Sequence, residues 1–119
     1  MCERLKNKIN RMIKNHELWL ENKDNGEQAI FKSLDLSYMD FSYCNLIGCN
    51  FEECNLTGCN FEGCNLIGSN FTKANLTDAS FKKSDLRCVC LKDANLTNVN
   101  FLNSIINFNG NFRIKCIIE

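Results

Sequence analysis

Nine cysteines and one histidine are the residues of this 119-residue chain whose chemistry could make a site. Five of the cysteines, Cys44, Cys49, Cys54, Cys59 and Cys64, recur at steps of five. Four thiolates at about 2.3 Å from one ion would make a structural zinc centre. The C-x4-C spacing is not a zinc spacing, and Leu46, Phe51, Leu56 and Phe61, repeating at the same step, would fill the space the ion needs. Alanine and serine stand at the same phase elsewhere. The thiols therefore read as small, buried, reduced groups, and no metal or cofactor is implied. A bridge between Cys44 and Cys64, one strand apart at about 4.8 Å, is disfavoured. Parallel Cβ vectors hold the Cβ atoms wider than the ~3.5–4.5 Å of a disulfide. Cys2, Cys88 and Cys90 are isolated and expected to be more exposed. His16 falls on an apolar helical stripe, with no nucleophile or carboxylate arranged around it, and reads as a packed or hydrogen-bonded group. No catalytic, cofactor-binding or metal-binding residue is assigned, and the chain is not expected to be an enzyme.

The elements that position these residues follow from a repeat. From Ala29 to Phe108 the chain repeats every five residues without a slip, sixteen units in 80 residues. The centre of each unit, position i, is large and apolar, from Phe31, Leu36 and Phe41 through to Phe101 and Ile106. Position i−2 is small or apolar. Position i−1 is Asn in nine units and Asp in three more, Asp35, Asp40 and Asp85. A period of five fits neither the helix period of 3.6 nor the strand period of 2. A chain that turns in the same sense every five residues traces a square, and four units close a coil of 20. Asn and Asp at i−1 suit a turn, because the side chain bonds nearby backbone and tolerates unusual φ. Gly48, Gly58, Gly63 and Gly68 at i+2 suit corners of positive φ.

Folding the sequence at 20 sorts the centres into four stacks: Phe31, Phe51, Phe71, Leu91; Leu36, Leu56, Leu76, Leu96; Phe41, Phe61, Phe81, Phe101; and Leu46, Leu66, Leu86, Ile106. Phenylalanine takes two opposite faces and leucine the other two, with Leu91 the exception among the ring positions. Units such as Ala74-Asn75-Leu76-Thr77-Asp78 and Ala94-Asn95-Leu96-Thr97-Asn98 resemble the pentapeptide-repeat family, whose consensus is A-(D/N)-L-x-x. The resemblance implies an all-β solenoid, a right-handed quadrilateral β-helix, here of about four coils. Ile30, Cys90 and Ile105 depart from the polar i−1 position.

Three parts are expected: a capping helix and turn over 1–28, repeats over 29–108, and a tail over 109–119. In residues 3–21, Leu5, Ile9, Met12, Ile13, His16 and Leu20 recur at steps of three and four, beside Trp19. That stripe suits a helix laid over the open end of coil one. The Asn, Asp and Gly of 22–26 should end it. The run from His16 to Ala29 also looks like the lead-in of many bacterial pentapeptide-repeat proteins. In the tail, Phe112, Ile114, Cys116 and Ile118 alternate like a strand. The tail either closes the last coil or joins two copies, and a homodimer joined end to end through residues near 101–118 is the expectation, since relatives often dimerise there.

Charge bounds the partners. Lys and Arg number 14, as do Asp and Glu, so the net charge is zero. That argues against a nucleic-acid binder working by bulk charge. No stretch of 18 apolar residues occurs, so no membrane span is expected. The N-terminus is too charged for a signal peptide, a cytoplasmic location is expected, and the N-x-T matches at Asn55, Asn70, Asn75 and Asn95 are set aside as products of the repeat. Glu52, Glu53 and Glu62 form an acidic strip, and Lys82, Lys83, Arg87 and Lys92 a basic one. The expected function is a rigid protein-interaction module of unknown partner. The resemblance also implies an alternative, a DNA mimic that binds DNA gyrase. Residues 29–108 carry six basic and eight acidic side chains, net −2. Duplex DNA of the same ~19 Å length carries about −11, which weakens the alternative.

Overall fold

The computed structural model describes residues 2–106. It begins with helix α1, Glu3–Leu20, which ends one residue earlier than the pattern predicts. Asn22 ends it in the left-handed region at φ 56. Its N–H bonds the Trp19 carbonyl at 3.1 Å, and the Lys23 N–H bonds that of Leu18 at 3.0 Å. This is a Schellman turn with Asn in the place of Gly. Ile9, Ile13 and His16 are buried in the core that the first coils build, with Leu5 and Met12 packed beside them. Trp19, which the stripe would place with them, is 41% exposed.

Beyond the helix the chain winds as a solenoid. Twelve parallel bridges run from Ile30–Asn50 to Asp85–Ile105, and every one joins residues twenty apart. Coil 1 is 29–48, coil 2 is 49–68, coil 3 is 69–88, and coil 4 begins at 89. Faces 1 to 4 are centred on the Phe31, Leu36, Phe41 and Leu46 stacks.

One unit shows why the repeat has its consensus. Asn55 N–H donates to Leu34 O in the coil below at 3.0 Å, and Leu56 N–H to Asn75 O in the coil above at 2.7 Å. Gly58 N–H donates to Thr77 O above at 2.8 Å. Cys59 N–H closes the corner onto Leu56 O at 3.1 Å. The fifth donor, Thr57 N–H, has no backbone partner here, and the Asn55 side chain accepts it at 3.1 Å. All five donors of the unit are satisfied, one of them by the i−1 side chain alone. That is the reason for Asn or Asp at i−1. Asp35, Asp40, Asn45, Asn70 and Asn95 accept in the same way, and Ser80 substitutes its hydroxyl at 3.3 Å.

Unusual φ belongs to i+2 and not to i−1. Every i+2 residue from Ser33 to Asn103 has positive φ, eleven non-glycines among them, including Tyr38, Tyr43, Glu53 and Lys83. The corner demands the conformation whatever the side chain, and interaction with the rest of the coil offsets the strain.

The interior is a herringbone of rings. Phe41, Phe61 and Phe81 stack at 5.0 Å with interplanar angles of 3° and 7°. Phe31, Phe51 and Phe71 stack on the opposite face at 5.0 and 4.9 Å. Rings of the two stacks meet edge to face, as Phe61 and Phe71 do at 5.7 Å and 87°. Edge-on contact sets positive ring edges against negative faces, so both columns share one narrow core. The last coil is less enclosed: Leu96, Phe101 and Ile106 are only partly buried. The expected tail, 109–119, lies outside the described residues, as do the end of the 29–108 block and the tail's part in a dimer.

Candidate functional site

The i−2 thiols of the repeat lie inside the coils. Cys49, Cys54, Cys59 and Cys64 are buried, Cys44 partly so. The Cys54, Cys59 and Cys64 thiols donate to the carbonyls of Phe31, Leu36 and Phe41 in the coil below, at 2.8, 3.0 and 2.7 Å. Ser69 makes the same bond to Leu46 O at 2.8 Å. Each of these carbonyls already accepts the corner N–H, so the i−2 side chain supplies its second donor. The reading of the thiols as merely small apolar groups missed this. The signal was present in the sequence, since Ser69, Ser84 and Ser104 share their phase. Burial pushes the thiols of Cys59 and Cys64 up to about 12 and that of Cys54 up to about 11. A thiol held protonated in this way is a poor nucleophile and a poor metal ligand. Among the described residues no three His, Cys, Asp or Glu side chains gather as a metal site would require. Cys88 and Cys90 are half-buried, and Cys90 Sγ lies 3.5 Å from the Thr72 hydroxyl.

His16 is fully buried. Its Nδ1 accepts the Ala29 N–H at 2.9 Å, and its Nε2 lies 2.7 Å from the Ile47 carbonyl. The first bond requires a bare Nδ1 and the second a protonated Nε2, which fixes the neutral Nε2–H tautomer. Burial lowers its pKa from 6.5, against a smaller opposing effect of the Ile47 bond. The ring therefore latches α1 to the first and last faces of coil 1, where the coil closes, and no lone pair is left for catalysis.

What remains for chemistry is the outer surface. On face 2 the ranks Asp35, Asn55, Asn75, Asn95 and Ser37, Thr57, Thr77, Thr97 run side by side. Each hydroxyl donates to its own Asx side chain at 2.6–2.8 Å. On face 1, Lys32 and Glu52 pair at 3.7 Å. Asp85 and Arg87 pair at 2.6 Å on face 4. Tyr38 and Tyr43 stand on adjacent corners of coil 1, 77% and 70% exposed, with their rings over Gly58 and Gly63. An open groove of about 520 Å³ separates α1 from face 4, walled by Lys14, Glu17, Glu21, Asn45 and Ile47. Among the described residues no helix is long and apolar enough to cross a membrane.

The family model for pentapeptide repeats matches eight copies over residues 35–73, 44–82 and 64–103, more than half of the chain. The chain belongs to the pentapeptide-repeat family. Members fold as right-handed quadrilateral β-helices, and the twenty-residue bridging register above is that of such a coil. Among solved structures, the pentapeptide-repeat protein Rfr23 of the cyanobacterium Cyanothece 51142 is 26% identical with a TM-score of 0.53. The match covers 69% of this chain and 59% of Rfr23. A pentapeptide-repeat protein of Nostoc Pcc 7120 is 19% identical, TM-score 0.40, over 87% of this chain and 90% of its own. QnrB1, a plasmid-mediated fluoroquinolone resistance protein, is 22% identical, TM-score 0.40, over 73% of this pentapeptide-repeat chain and 43% of its own. This chain thus spans about three-fifths of Rfr23 and less than half of QnrB1. No curated protein matches it.

Proposed function

We propose that this pentapeptide-repeat protein is a non-enzymatic interaction module, a stiff solenoid that presents ordered outward ranks to a protein partner. One observation carries the reading: His16 and the thiols of Cys54, Cys59 and Cys64, groups with chemical potential, are bonded to backbone and hold the fold together. The regular Asx and Ser/Thr ranks remain as the presenting surface. The described cysteines are unbridged, which suits a reducing compartment, and we place the module in the cytoplasm. Direct nucleic-acid binding and membrane binding are not part of the proposal. Mimicry of duplex DNA toward gyrase is disfavoured by the net −2 of the repeats.

The test is capture of a partner by the immobilised full chain from a cytoplasmic extract, repeated with two variants. The thiol variant C54S/C59S/C64S is expected to retain the same captured protein. The surface variant T57R/T77R is expected to lose it. Loss in the thiol variant with capture intact in the surface variant would point to thiol chemistry and overturn the proposal.

A further inference from the structure

Face 3 carries exposed apolar side chains at both of its ends. Tyr38 and Tyr43 flank it in coil 1, and Leu102, 57% exposed, stands on its outward row in coil 4. That outward row reads Ser42, Glu62, Lys82, Leu102, an acid beneath a base at the middle. The whole rod has the same polarity. Residues 29–68 hold one basic and five acidic side chains, net −4; residues 69–106 hold five basic and three acidic, net +2. Ion pairing within the chain does not absorb the pair on face 3. The two ion pairs among the described residues are Lys32–Glu52 and Asp85–Arg87.

We propose that face 3 is self-complementary and docks a second copy of this chain face to face, with the coil order reversed. A two-fold axis lying in the interface along the strand direction, between coils 2 and 3, sets coil 1 on coil 4 and coil 2 on coil 3. Glu62 then meets the partner's Lys82, twice by symmetry. Gly63, which lies under the Tyr43 ring, meets the partner's Lys83, bringing an ammonium to an aromatic face. Gly58, under the Tyr38 ring, meets the partner's Asp78, an acceptor for the phenol. Ser42 falls on the partner's Leu102, Asp40 on the partner's Asn100, and Asn60 on the partner's Ser80. No like charges meet. The other two-fold arrangement, with coil order kept, reverses the strand direction and sets Glu62 on the partner's Asn60 and Lys82 on the partner's Ser80, so it gains neither ion pair. This pairing uses the side of the solenoid and is independent of the tail and of the partner proposed above.

The face is four strands tall, about 19 Å, and one pentapeptide wide. It falls short of the ~800 Å² per partner of a standard interface. Association is therefore weak, reversible and dependent on salt. Sedimentation velocity of the full chain over a concentration series tests it. At low salt the dimer fraction is expected to rise with concentration, and the association constant to fall about tenfold between ~0.05 and ~0.5 M salt. Glu62→Lys and Lys82→Glu are each expected to weaken the dimer about tenfold, or ~1.4 kcal/mol. The double variant E62K/K82E recreates both pairs and is expected to restore it. Both side chains point outward, and circular dichroism melts check that the variants stay folded. A monomer at every concentration in low salt would overturn the proposal. So would a dimer indifferent to salt and to both reversals, which would place the contact at the end of the rod, or a double variant weaker than either single one.

Discussion

The Cys59 thiol lies 3.0 Å from the carbonyl oxygen of Leu36, one coil below it. That oxygen also accepts the corner N–H of Met39 at 3.2 Å. Cys59 is thus the second donor to a buried corner carbonyl, as Cys54 and Cys64 are, and serine does the same work at Ser69.

Substitution at Cys54, Cys59 and Cys64 should separate the hydrogen bond from volume. Each Cys→Ser change keeps a donor and is expected to alter stability by less than ~0.5 kcal/mol. Each Cys→Ala change orphans one acceptor site and is expected to cost about 1 kcal/mol. Urea melts of the six single variants measure this. Equal losses for Ser and Ala would mean that the thiols act by packing alone.

Thiol chemistry gives a second check. With Cys54, Cys59 and Cys64 raised to about 11, 12 and 12, almost no thiolate exists at neutral pH. Labelling by a disulfide reagent is expected to be slow at these three in the native protein and fast at Cys2, which is exposed. All should react after denaturation. Stoichiometric zinc in freshly purified protein would contradict the geometry.

The His16 latch makes stability depend on pH. Unfolded His16 titrates near 6.5, and its folded value is lower. Between the two values the unfolded state binds the extra proton, so stability rises with pH. The contribution is complete above about pH 6.5 and is lost as pH falls through 6.5 toward the folded value. Asp40 and Asp85 act in a lower window. Side-chain hydrogen bonds from Ser42 and Arg87 hold them below 3.8, and their small, surface contributions fade as pH falls under that value. Melts from pH 8 to 3 should show the first decline, and His16→Phe should abolish it. That variant also leaves the Ala29 N–H and Ile47 carbonyl unpaired, at a cost of about 2–4 kcal/mol.

Two glycines should differ from their neighbours. A Cβ at Gly48 (φ +69) meets nothing within 4 Å, so Gly48→Ala is expected to cost only the left-handed strain of about 1 kcal/mol. A Cβ at Gly58 (φ +67) comes within 2.5 Å of Tyr38 Cδ1, and one at Gly63 collides with the Tyr43 ring. Gly58→Ala and Gly63→Ala should cost more than Gly48→Ala. Adding Tyr38→Ala or Tyr43→Ala should bring each back to the Gly48 level. A double-mutant cycle by thermal melting reads the coupling, and additivity would show that the rings move aside freely.

In a gyrase supercoiling assay at low micromolar concentration the chain is expected to be without effect. The repeats carry net −2 where the matching length of duplex carries about −11. Inhibition, or protection from a quinolone, would show that shape outweighs charge.

The period of five, the sorting of Phe and Leu onto separate faces, and the helical stripe from Leu5 to His16 are properties of spacing, and spacing is complete in the sequence. They suffice for the square coil, its height and its inward residues. The sequence also held the Cys and Ser interchange at i−2, but not its reason. A thiol at position 59 finds its acceptor at position 36, and that distance along the chain becomes 3.0 Å only when one coil lies on another. The same holds for His16, whose partners Ala29 and Ile47 sit at opposite ends of coil 1. It holds again for positive φ at Tyr38, Tyr43 and Lys83, where local preference argues against a conformation that the closed corner imposes. Face 3 is the last case: the acid and base of its outward row are twenty residues apart in the chain, and only the stacking of coils makes them neighbours on one surface. Periodicity is a local property and survives in the unfolded chain, whereas hydrogen-bond partners and surface charge patterns are set by which coil lies above which.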